Sequence, residues 1–265
     1  MSDPKVLEPS SATSLLAGAH ADDTRRAAGA GNRLPAKEFI RRVQSAHPRV
    51  AVFDCDGTLW HGDAGSQFMR WSMEGGLLSR EASDWMDARY RAYLRDEVSE
   101  LAICGEMVQI YRGLREAELR QAAHTFVASW IRPRIFPEML QICQQLRAEG
   151  VTLWAVSSTN NWVIEEAVKP FGIPADRVLA ACVKTAQGII TEEILDIPTD
   201  EGKAESLVRA GVPHPDAVFG NSIHDAAMLA IAAHPFVVNP TAALEDLAAT
   251  RGWPIFQPET PHLTA

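Results

Sequence analysis

The chain has 265 residues and a formal net charge of −9 at pH 7, from 25 basic and 34 acidic side chains. A hydrophobic fraction of 46% with 22% charged residues excludes a wholly disordered chain, and the length allows one domain with an insertion or two small domains. The acidic balance argues against a nucleic-acid partner, which would require a basic surface. No apolar run reaches the roughly 18 residues that a membrane span needs, so no membrane partner is expected either.

The number and spacing of the cysteines indicate whether the protein resides in a reducing or an oxidising compartment. The four cysteines are widely spaced and form no C-x-x-C pair, which is typical of reduced thiols and favours neither a zinc cluster nor a disulfide framework. We therefore expect a cytoplasmic protein. Residues 1–35 contain seven Ala, four Ser and three Gly, have no Phe, Trp or Tyr, and carry charges that cancel. This composition predicts a flexible N-terminal tail, and the absence of a basic start and a long apolar run argues against a signal peptide.

The rest of the chain alternates short apolar runs with amphipathic stretches. The first run, residues 49–53, stops abruptly at polar residues and Gly57, as a buried parallel strand does. Alternating strands and helices predict an α/β fold with a Rossmann-like, three-layer parallel sheet as its core. In chain order, the predicted elements are a helix near 35–44, a strand over 49–53, a helix over 137–149, a strand over 151–156, another helix, a hairpin around 184–191, a helix over 203–210, and strands over 217–219, 236–238 and 254–256.

A long segment separates the first two predicted strands. Residues 62–133 carry aromatic and aliphatic side chains at helical spacing and show no alternation typical of strands. We predict that this segment is a small α-helical cap, inserted into a core formed by residues 36–61 and 134–265.

Polar side chains stand where three of the predicted strands end. Asp54 and Asp56 follow the first strand, Ser157 follows the second, and residues 220–225 follow the third. The carboxyl ends of parallel strands meet at one edge of a sheet, which is where ligands bind. Asp54 and Asp56 point to the same side of an extended segment, and two neighbouring carboxylates repel unless a cation offsets them. Mg²⁺, a hard cation with oxygen ligands, meets that need.

Each of these polar residues also has a purely structural interpretation. Ser157 and Lys203 can contact an anion through a hydroxyl and an ammonium group, but a strand-end serine is often a helix cap and a lone lysine is often solvated. The remaining alternatives are a simple turn at Asp56-Gly57 with Asp54 as a cap, and a capping role for Asp225 before a helix predicted over 226–233.

Taken together, these residues resemble the haloacid dehalogenase-like superfamily, phosphatase type. The specific motif is Val-Phe-Asp-Cys-Asp-Gly-Thr-Leu at 52–59, and Ser157, Lys203 and the segment 220–225 follow in the family's order on matching elements. The resemblance covers about residues 49–257. Further residues at 237–240, 244 and 251–254 are similar to the branch that contains phosphoserine phosphatases, in which a helical cap follows the first motif.

The resemblance implies a Mg²⁺-dependent phosphomonoesterase. Asp54 would attack phosphorus and form an aspartyl-phosphate, and Asp56 would protonate the leaving alcohol and then activate water. True dehalogenases lack the second Asp, so dehalogenation is not expected. The implied phosphate-binding residues are Thr58, Ser157, Ser158 and Lys203, and the implied metal-binding residues are Asp54, Asp56, Asn221 and Asp225.

One position departs from the family's pattern. The last motif usually begins Gly-Asp, whereas this chain has Gly220-Asn221. Asn still offers an oxygen to Mg²⁺ but removes one negative charge, so weaker metal binding is expected. Two other classes of function therefore stay open: a phosphotransferase or mutase that uses the same aspartyl-phosphate, and a degenerate protein that binds phosphate esters without turnover. The sequence leaves open whether the protein is a monomer or a homodimer.

The sequence gives weaker signals for the substrate. In the phosphoserine phosphatase branch an acidic residue nine positions after the nucleophile meets the substrate amine, and Asp63 stands at that spacing. The alternative is that Asp63 caps a helix that begins near Ala64. We therefore favour phosphoserine or another small amino-alcohol phosphate as the partner. Trp60, Trp71, Trp85 and Trp130 allow an aromatic cage for a quaternary ammonium, but aromatic residues at helical spacing are more often core.

Overall fold

The structure is a computed structural model that describes residues 32–261. One seven-stranded sheet runs through it in the order β4–β3–β2–β1–β5–β6–β7, and every strand is parallel to its neighbour except β4, which is antiparallel to β3. The predicted α/β fold is confirmed. The strands are β1 (Val50–Phe53), β2 (Thr152–Asn160), β3 (Val178–Ala186), β4 (Ile189–Asp196), β5 (Ala217–Gly220), β6 (His234–Val238) and β7 (Ile255–Phe256).

Ten α-helices accompany the sheet within residues 32–261. They are α1 (Ala36–Ser45), α2 (Ala64–Glu74), α3 (Arg80–Tyr93), α4 (Glu100–Gln109), α5 (Glu116–Phe126), α6 (Pro137–Ala148), α7 (Asn161–Ala167), α8 (Glu201–Arg209), α9 (Ala226–Ala230) and α10 (Ala242–Arg251).

The central strand divides the core into two apolar layers. In β1, Ala51 and Phe53 belong to one cluster and Val52 to the other, because successive side chains of a strand point to opposite faces. The first cluster includes residues of α1, α6 and α7, and the second includes residues of α8, α9 and α10. Both faces of β1 are therefore covered, which explains why its sequence is continuously apolar.

The helical segment between β1 and β2 has its own aromatic centre. The ring centroid of Phe68 lies 5.9 Å from Trp71, 5.7 Å from Tyr111 and 5.2 Å from Phe126. After α5 the chain continues as one π-helical turn and a short 3₁₀ turn, and then returns to the sheet. Helices α2 to α5 all lie within residues 62–133.

Backbone hydrogen bonds join the helical segment to the core at two places. The segment that enters the helical region and the segment that leaves it lie side by side. The N–H of His61 donates to the carbonyl of Arg134 at 2.9 Å. On the far side, Ile190 of the β3–β4 hairpin exchanges backbone hydrogen bonds with Gly113 (2.8 Å) and Leu114 (3.0 Å). The hairpin was predicted only around 184–191, but its strands extend over 178–196 and reach this segment.

The N-terminal boundary differs from the prediction. The tail predicted over 1–35 lies outside the described residues as far as 31, but residues 32–35 contact the core. The N–H of Leu34 donates to the carbonyl of Ile255 at 2.8 Å, and Arg33 forms an ion pair with Glu245 at 2.7 Å. Those contacts place residues 32–35 along the edge strand β7. Within the part of the chain described, no helix is both long and apolar enough to cross a membrane.

Candidate active site

The ends of β1, β2 and β5 open into one cleft of about 350 Å³. These strands are neighbours in the sheet, so residues that are far apart in sequence meet there. The predicted residues that line the cleft are Asp54, Asp56, Asp63, Ser157, Ser158, Lys203 and Asn221. A larger groove of about 860 Å³ lies between α3, α4 and β4, near Trp85, but it contains none of these side chains.

Lys203 connects two carboxylates below the cleft. Its Nζ donates to Oδ1 of Asp54 at 2.7 Å and to Oδ1 of Asp225 at 2.6 Å, and all three side chains are at most 6% exposed. Burial raises the pKa of Asp54 to about 6, the charge of Asp225 adds to this, and the ammonium of Lys203 opposes it. Burial alone would lower the pKa of Lys203, but the charges of Asp225 and Asp54 outweigh it and raise that pKa.

Asp225 holds both Lys203 and the loop after β5. Its Oδ2 accepts hydrogen bonds from the N–H groups of Asn221 (2.8 Å) and Ser222 (2.9 Å), while its Oδ1 accepts from Lys203. Gly220 allows this approach, because a Cβ there would lie 2.7 Å from the Cβ of Asp225. Asp225 is fully buried, and both of its oxygens contact protein groups. Asp225, implied by the resemblance as a metal-binding residue, is thus placed to orient Lys203 and has no side-chain oxygen left for direct contact with a metal.

Asp56 occupies a separate network on the cap side of the cleft. Its Oδ1 accepts from Nε1 of Trp60 and from the N–H of Ala64, both at 2.7 Å, and its Oδ2 accepts from Oγ1 of Thr159 at 2.7 Å. Burial and the nearby charge of Asp63 raise the pKa of Asp56 to about 7 despite these donors. Near neutral pH this carboxyl group therefore exists in both protonation states, whereas an ordinary aspartate is fully ionised.

Small hydroxyl residues complete the floor of the cleft. Thr58 Oγ1 donates to Oδ2 of Asp54 at 2.8 Å, which fixes that carboxylate together with Lys203. Ser157 is 2% exposed, and its Oγ accepts from the N–H of Thr159 at 3.1 Å. Ser158 lines the cleft beside it. The predicted phosphate-binding hydroxyls therefore lie within the same small volume as Asp54 or directly beneath it.

Asn221 lies against the turn that carries the two aspartates. Gly57 has φ +76°, and a Cβ at this position would lie 1.9 Å from Nδ2 of Asn221, so only glycine leaves room for that side chain. The Asn221 amide group forms no hydrogen bond with another residue in the range 32–261, although its backbone does. Asn221 thus offers an amide oxygen in the same cleft as the carboxylate of Asp54 and the backbone of Asp56. Carboxylate, carbonyl and amide oxygens are a hard donor set, which fits Mg²⁺.

The helical segment 62–133 also lines the cleft. Four of its side chains are acidic or tyrosine, namely Asp63, Tyr90, Tyr93 and Glu100, which we call the acid–tyrosine wall, and Gly65, Ile103, Cys104 and Met107 lie beside them. Asp63 also caps α2, because its Oδ1 accepts from the N–H of Ser66 at 3.0 Å. Both sequence interpretations of this residue therefore describe its position: it begins a helix and it faces the cleft.

The aromatic cage considered from the sequence is not formed. Trp60 is buried with its N–H bound to Asp56, and Trp71 and Trp130 pack on the ring of Phe126 at centroid distances of 5.9 and 5.5 Å. Trp85 lies on the outer face of the cap, 48% exposed. None of the four lines the cleft, because each is used in packing or lies elsewhere.

Several residues at the site were missed by the sequence analysis. Thr159 stands in the same Ser-Ser-Thr run as Ser157, but a register irregularity between 157 and 160 decides which side chain reaches Asp56. Asp200 has φ +50°, and its Oδ1 lies 2.7 Å from Nδ1 of His224, so this pair holds the turn before Lys203. Glu100 comes from the cap, where no motif marks it.

Similar proteins of known sequence include phosphatases. The histidinol-phosphatase of Neisseria meningitidis serogroup C (strain 8013) is 25% identical over 220 residues, covering 78% of this chain and 97% of that protein. A phosphoserine phosphatase of Mycobacterium tuberculosis (strain ATCC 25618 / H37Rv) is 23% identical over 221 residues, covering 78% and 70%.

Solved structures share the fold. A protein of unknown function from Bordetella pertussis Tohama I has a TM-score of 0.70 at 22% identity, covering 79% of this chain and 98% of that chain. A substrate-bound phosphoserine phosphatase has a TM-score of 0.55 at 13% identity, covering 80% and 94%.

The family model described as haloacid dehalogenase-like hydrolase matches residues 51–230, a range that begins in β1 and ends in α9. This range is more than half of the chain and contains Asp54, Asp56, Ser157, Lys203 and Asp225. The protein belongs to the haloacid dehalogenase-like hydrolase family.

Proposed function

We propose that this hydrolase is a Mg²⁺-dependent phosphomonoesterase that acts on a small phosphate ester through an aspartyl-phosphate on Asp54. The observation that carries the proposal is the pair of aspartates in one cleft with different partners. Asp54 is held by Lys203 and Thr58, whereas Asp56 is held by Trp60 and Thr159. The family and the phosphatases among its relatives support a phosphoric monoester hydrolase.

Asp54 is the nucleophile in this proposal. Its two oxygens accept hydrogen bonds from Lys203 and Thr58, so the carboxylate has a fixed orientation at the end of β1. Attack on phosphorus forms an O–P bond and breaks the bond from phosphorus to the ester oxygen. Lys203 and Ser157 lie where they would contact the other phosphate oxygens, whose charge develops during transfer.

Asp56 is the proton donor and acceptor. Its pKa of about 7 means that a useful fraction carries a proton at neutral pH, which it can give to the departing alcohol oxygen. The carboxylate that remains then accepts a proton from the water that attacks the aspartyl-phosphate. Thr159 and Trp60 keep the group in place through both steps.

The Asp54 carboxylate, the Asp56 backbone carbonyl and the Asn221 amide oxygen would hold Mg²⁺. Asp225 would support them through Lys203 and the Asn221 backbone. When bound, Mg²⁺ neutralises phosphate charge and favours attack by an anionic carboxylate. The substrate class favoured here is an amino-alcohol phosphate, because Asp63 faces the cleft nine positions after Asp54.

The two alternative classes share this cleft. A phosphotransferase or mutase would pass the phosphoryl group from Asp54 to an alcohol instead of water, and new phosphate esters on addition of acceptor alcohols would identify it. A binding-only protein would show no turnover, although the proposed nucleophile, acid and lysine are all in contact with suitable partners.

The first prediction concerns catalysis. The wild-type protein hydrolyses p-nitrophenyl phosphate only with Mg²⁺, and Asp54→Asn lowers kcat by at least about a thousandfold, because an amide is a poor nucleophile. Release of p-nitrophenolate is followed by absorbance, and circular dichroism checks that the variant is folded. Equal rates for the folded variant and the wild type would contradict the assignment.

The second prediction concerns stability. The raised pKa of Asp56 means that its ionised form is penalised in the folded state, so this penalty grows from about pH 4 to pH 7 and is complete above it. Asp56→Asn should therefore raise the free energy of unfolding of the metal-free protein by about 1–3 kcal/mol at pH 8, and by less at pH 5. Urea denaturation with a chelator measures both values. A gain independent of pH, or a loss at pH 8, would be the contrary result.

The third prediction concerns the metal. Asn221→Asp restores one negative charge, and we expect the Mg²⁺ concentration for half-maximal activity to fall about threefold or more. Titration calorimetry of Mg²⁺ gives a readout apart from turnover. Gln187→Glu, which adds the same charge at the exposed tip of the β3–β4 hairpin, is the matched control and should change neither value. An unchanged or weaker response in Asn221→Asp would remove this residue from the metal site.

A further inference from the structure

The acid–tyrosine wall is the polar part of what the helical segment 62–133 contributes to the cleft, beside the apolar side chains of Ile103 and Met107. Oε2 of Glu100 accepts a hydrogen bond from the Tyr93 hydroxyl at 2.5 Å, and its Oε1 lies 3.5 Å from Sγ of Cys104. Tyr93 ends α3 and Cys104 lies one turn after Glu100 in α4, and these two contacts orient the half-buried Glu100 carboxylate at the cleft. Asp63, in contrast, is exposed to solvent and is held by its capping contact with Ser66.

The two carboxylates of the acid–tyrosine wall, Asp63 and Glu100, line the same cleft as the Tyr90 ring. Burial raises the pKa of Tyr90 and the charges of the two carboxylates add to this, whereas Ser66 and Arg70 oppose it. Aromatic faces and carboxylates are the groups that stabilise an organic cation. A phosphate held at Asp54 would direct the rest of a small ester toward this wall.

The basic side chains at the cleft already have acidic partners. Among residues 32–261, Lys203 is the only lysine or arginine that lines it, and its ammonium is held by Asp54 and Asp225. His224 lines the rim with Nδ1 directed at Asp200. The guanidinium carbon of Arg70 lies over the Tyr90 ring, 5.5 Å from its centroid, but Arg70 does not line the cleft. A substrate carboxylate in the cleft would therefore meet Asp63 and Glu100, and in the described part of the chain no lysine or arginine that lines the cleft is left to pair with it.

We infer that the acid–tyrosine wall selects phosphate esters whose alcohol carries an ammonium or imidazolium group and no carboxylate. This inference rests on the proposed phosphomonoesterase and narrows its substrate class, because it excludes phosphoserine as the preferred ester. Glu100 and Asp63 are the specificity-determining residues. They attract the cationic group and repel an acidic one, while Asp54 and Asp56 act on the phosphate in every ester.

The test compares four esters with the wild-type protein at saturating Mg²⁺. These are O-phosphoethanolamine, L-histidinol phosphate, O-phospho-L-serine and the neutral-chain propyl phosphate. We expect kcat/KM for the better of the two cationic esters to exceed that for phosphoserine and for propyl phosphate by at least about tenfold. Preference for phosphoserine, or equal values for cationic and neutral esters, would overturn the inference.

Variants locate the effect. Glu100→Gln keeps the size and the hydrogen bond to Tyr93 but removes the charge, so we expect kcat/KM for the preferred cationic ester to fall about tenfold and that for propyl phosphate to change less than twofold. Glu97→Gln, the same change at an exposed residue just before α4, is the matched control and should leave all four values unchanged. An equal fall for every ester in Glu100→Gln would assign this residue to structure and overturn its role in specificity.

Two further outcomes separate the inference from the proposed function. Selective loss of phosphoserine hydrolysis in Arg70→Gln, in a protein that prefers phosphoserine, would assign the carboxylate to Arg70 and overturn the inference alone. No hydrolysis of any ester, including p-nitrophenyl phosphate, would overturn the proposed function and the inference together.

Discussion

The structure depends on one buried ammonium group shared by two carboxylates. Lys203 from α8 contacts Asp54 after β1 and Asp225 before α9, so three separate parts of the chain are fixed by one charge. Removing one partner from such a buried set costs about 3–5 kcal/mol, because the other charges stay desolvated. With both aspartates ionised, the set has one net negative charge at the cleft. That net charge favours a cation beside Asp54. Burial and the charge of Asp225 both disfavour the ionised form of Asp54 and thereby raise its pKa.

The surrounding backbone is shaped to bring these groups together. Gly220 lets Asp225 approach the end of β5, and Gly57 leaves the space that Asn221 occupies. Asp200 adopts φ +50° just before the helix that carries Lys203, a conformation that costs about 1–3 kcal/mol and persists only where contacts impose it. Its contact with His224 supplies one of them. The turn just before Lys203 is therefore strained, and the apolar layers on both faces of the sheet supply the stability that supports it.

The sequence predicted the fold and the meeting of polar residues at one edge of the sheet, since both follow from local patterns. The predicted end of the second strand was wrong, because β2 continues through Ser157 to Asn160. Apolar runs that stop at Asp54, Ser157 and Gly220 mark parallel strands, and the strand ends must then meet at one edge. The acid–tyrosine wall could not be predicted in the same way. Glu100 approaches the cleft through the packing of α4, and the contact of Thr159 with Asp56 depends on the irregular end of β2. Trp60, Trp71 and Trp130 pack against other residues and do not form a binding cage, as is usual for large apolar side chains at helical spacing.

The central claim is that Asp54 carries the phosphoryl group during turnover. It is tested most directly by acid-quenching the protein within milliseconds of mixing with Mg²⁺ and a hydrolysed ester, followed by mass spectrometry of the peptide that spans residues 50–60. The account predicts one added phosphoryl group on Asp54, formed at the rate of alcohol release and lost as phosphate appears. A protein that turns over the ester while this peptide stays unmodified at every time point, or that carries the phosphoryl group on another residue, would contradict it.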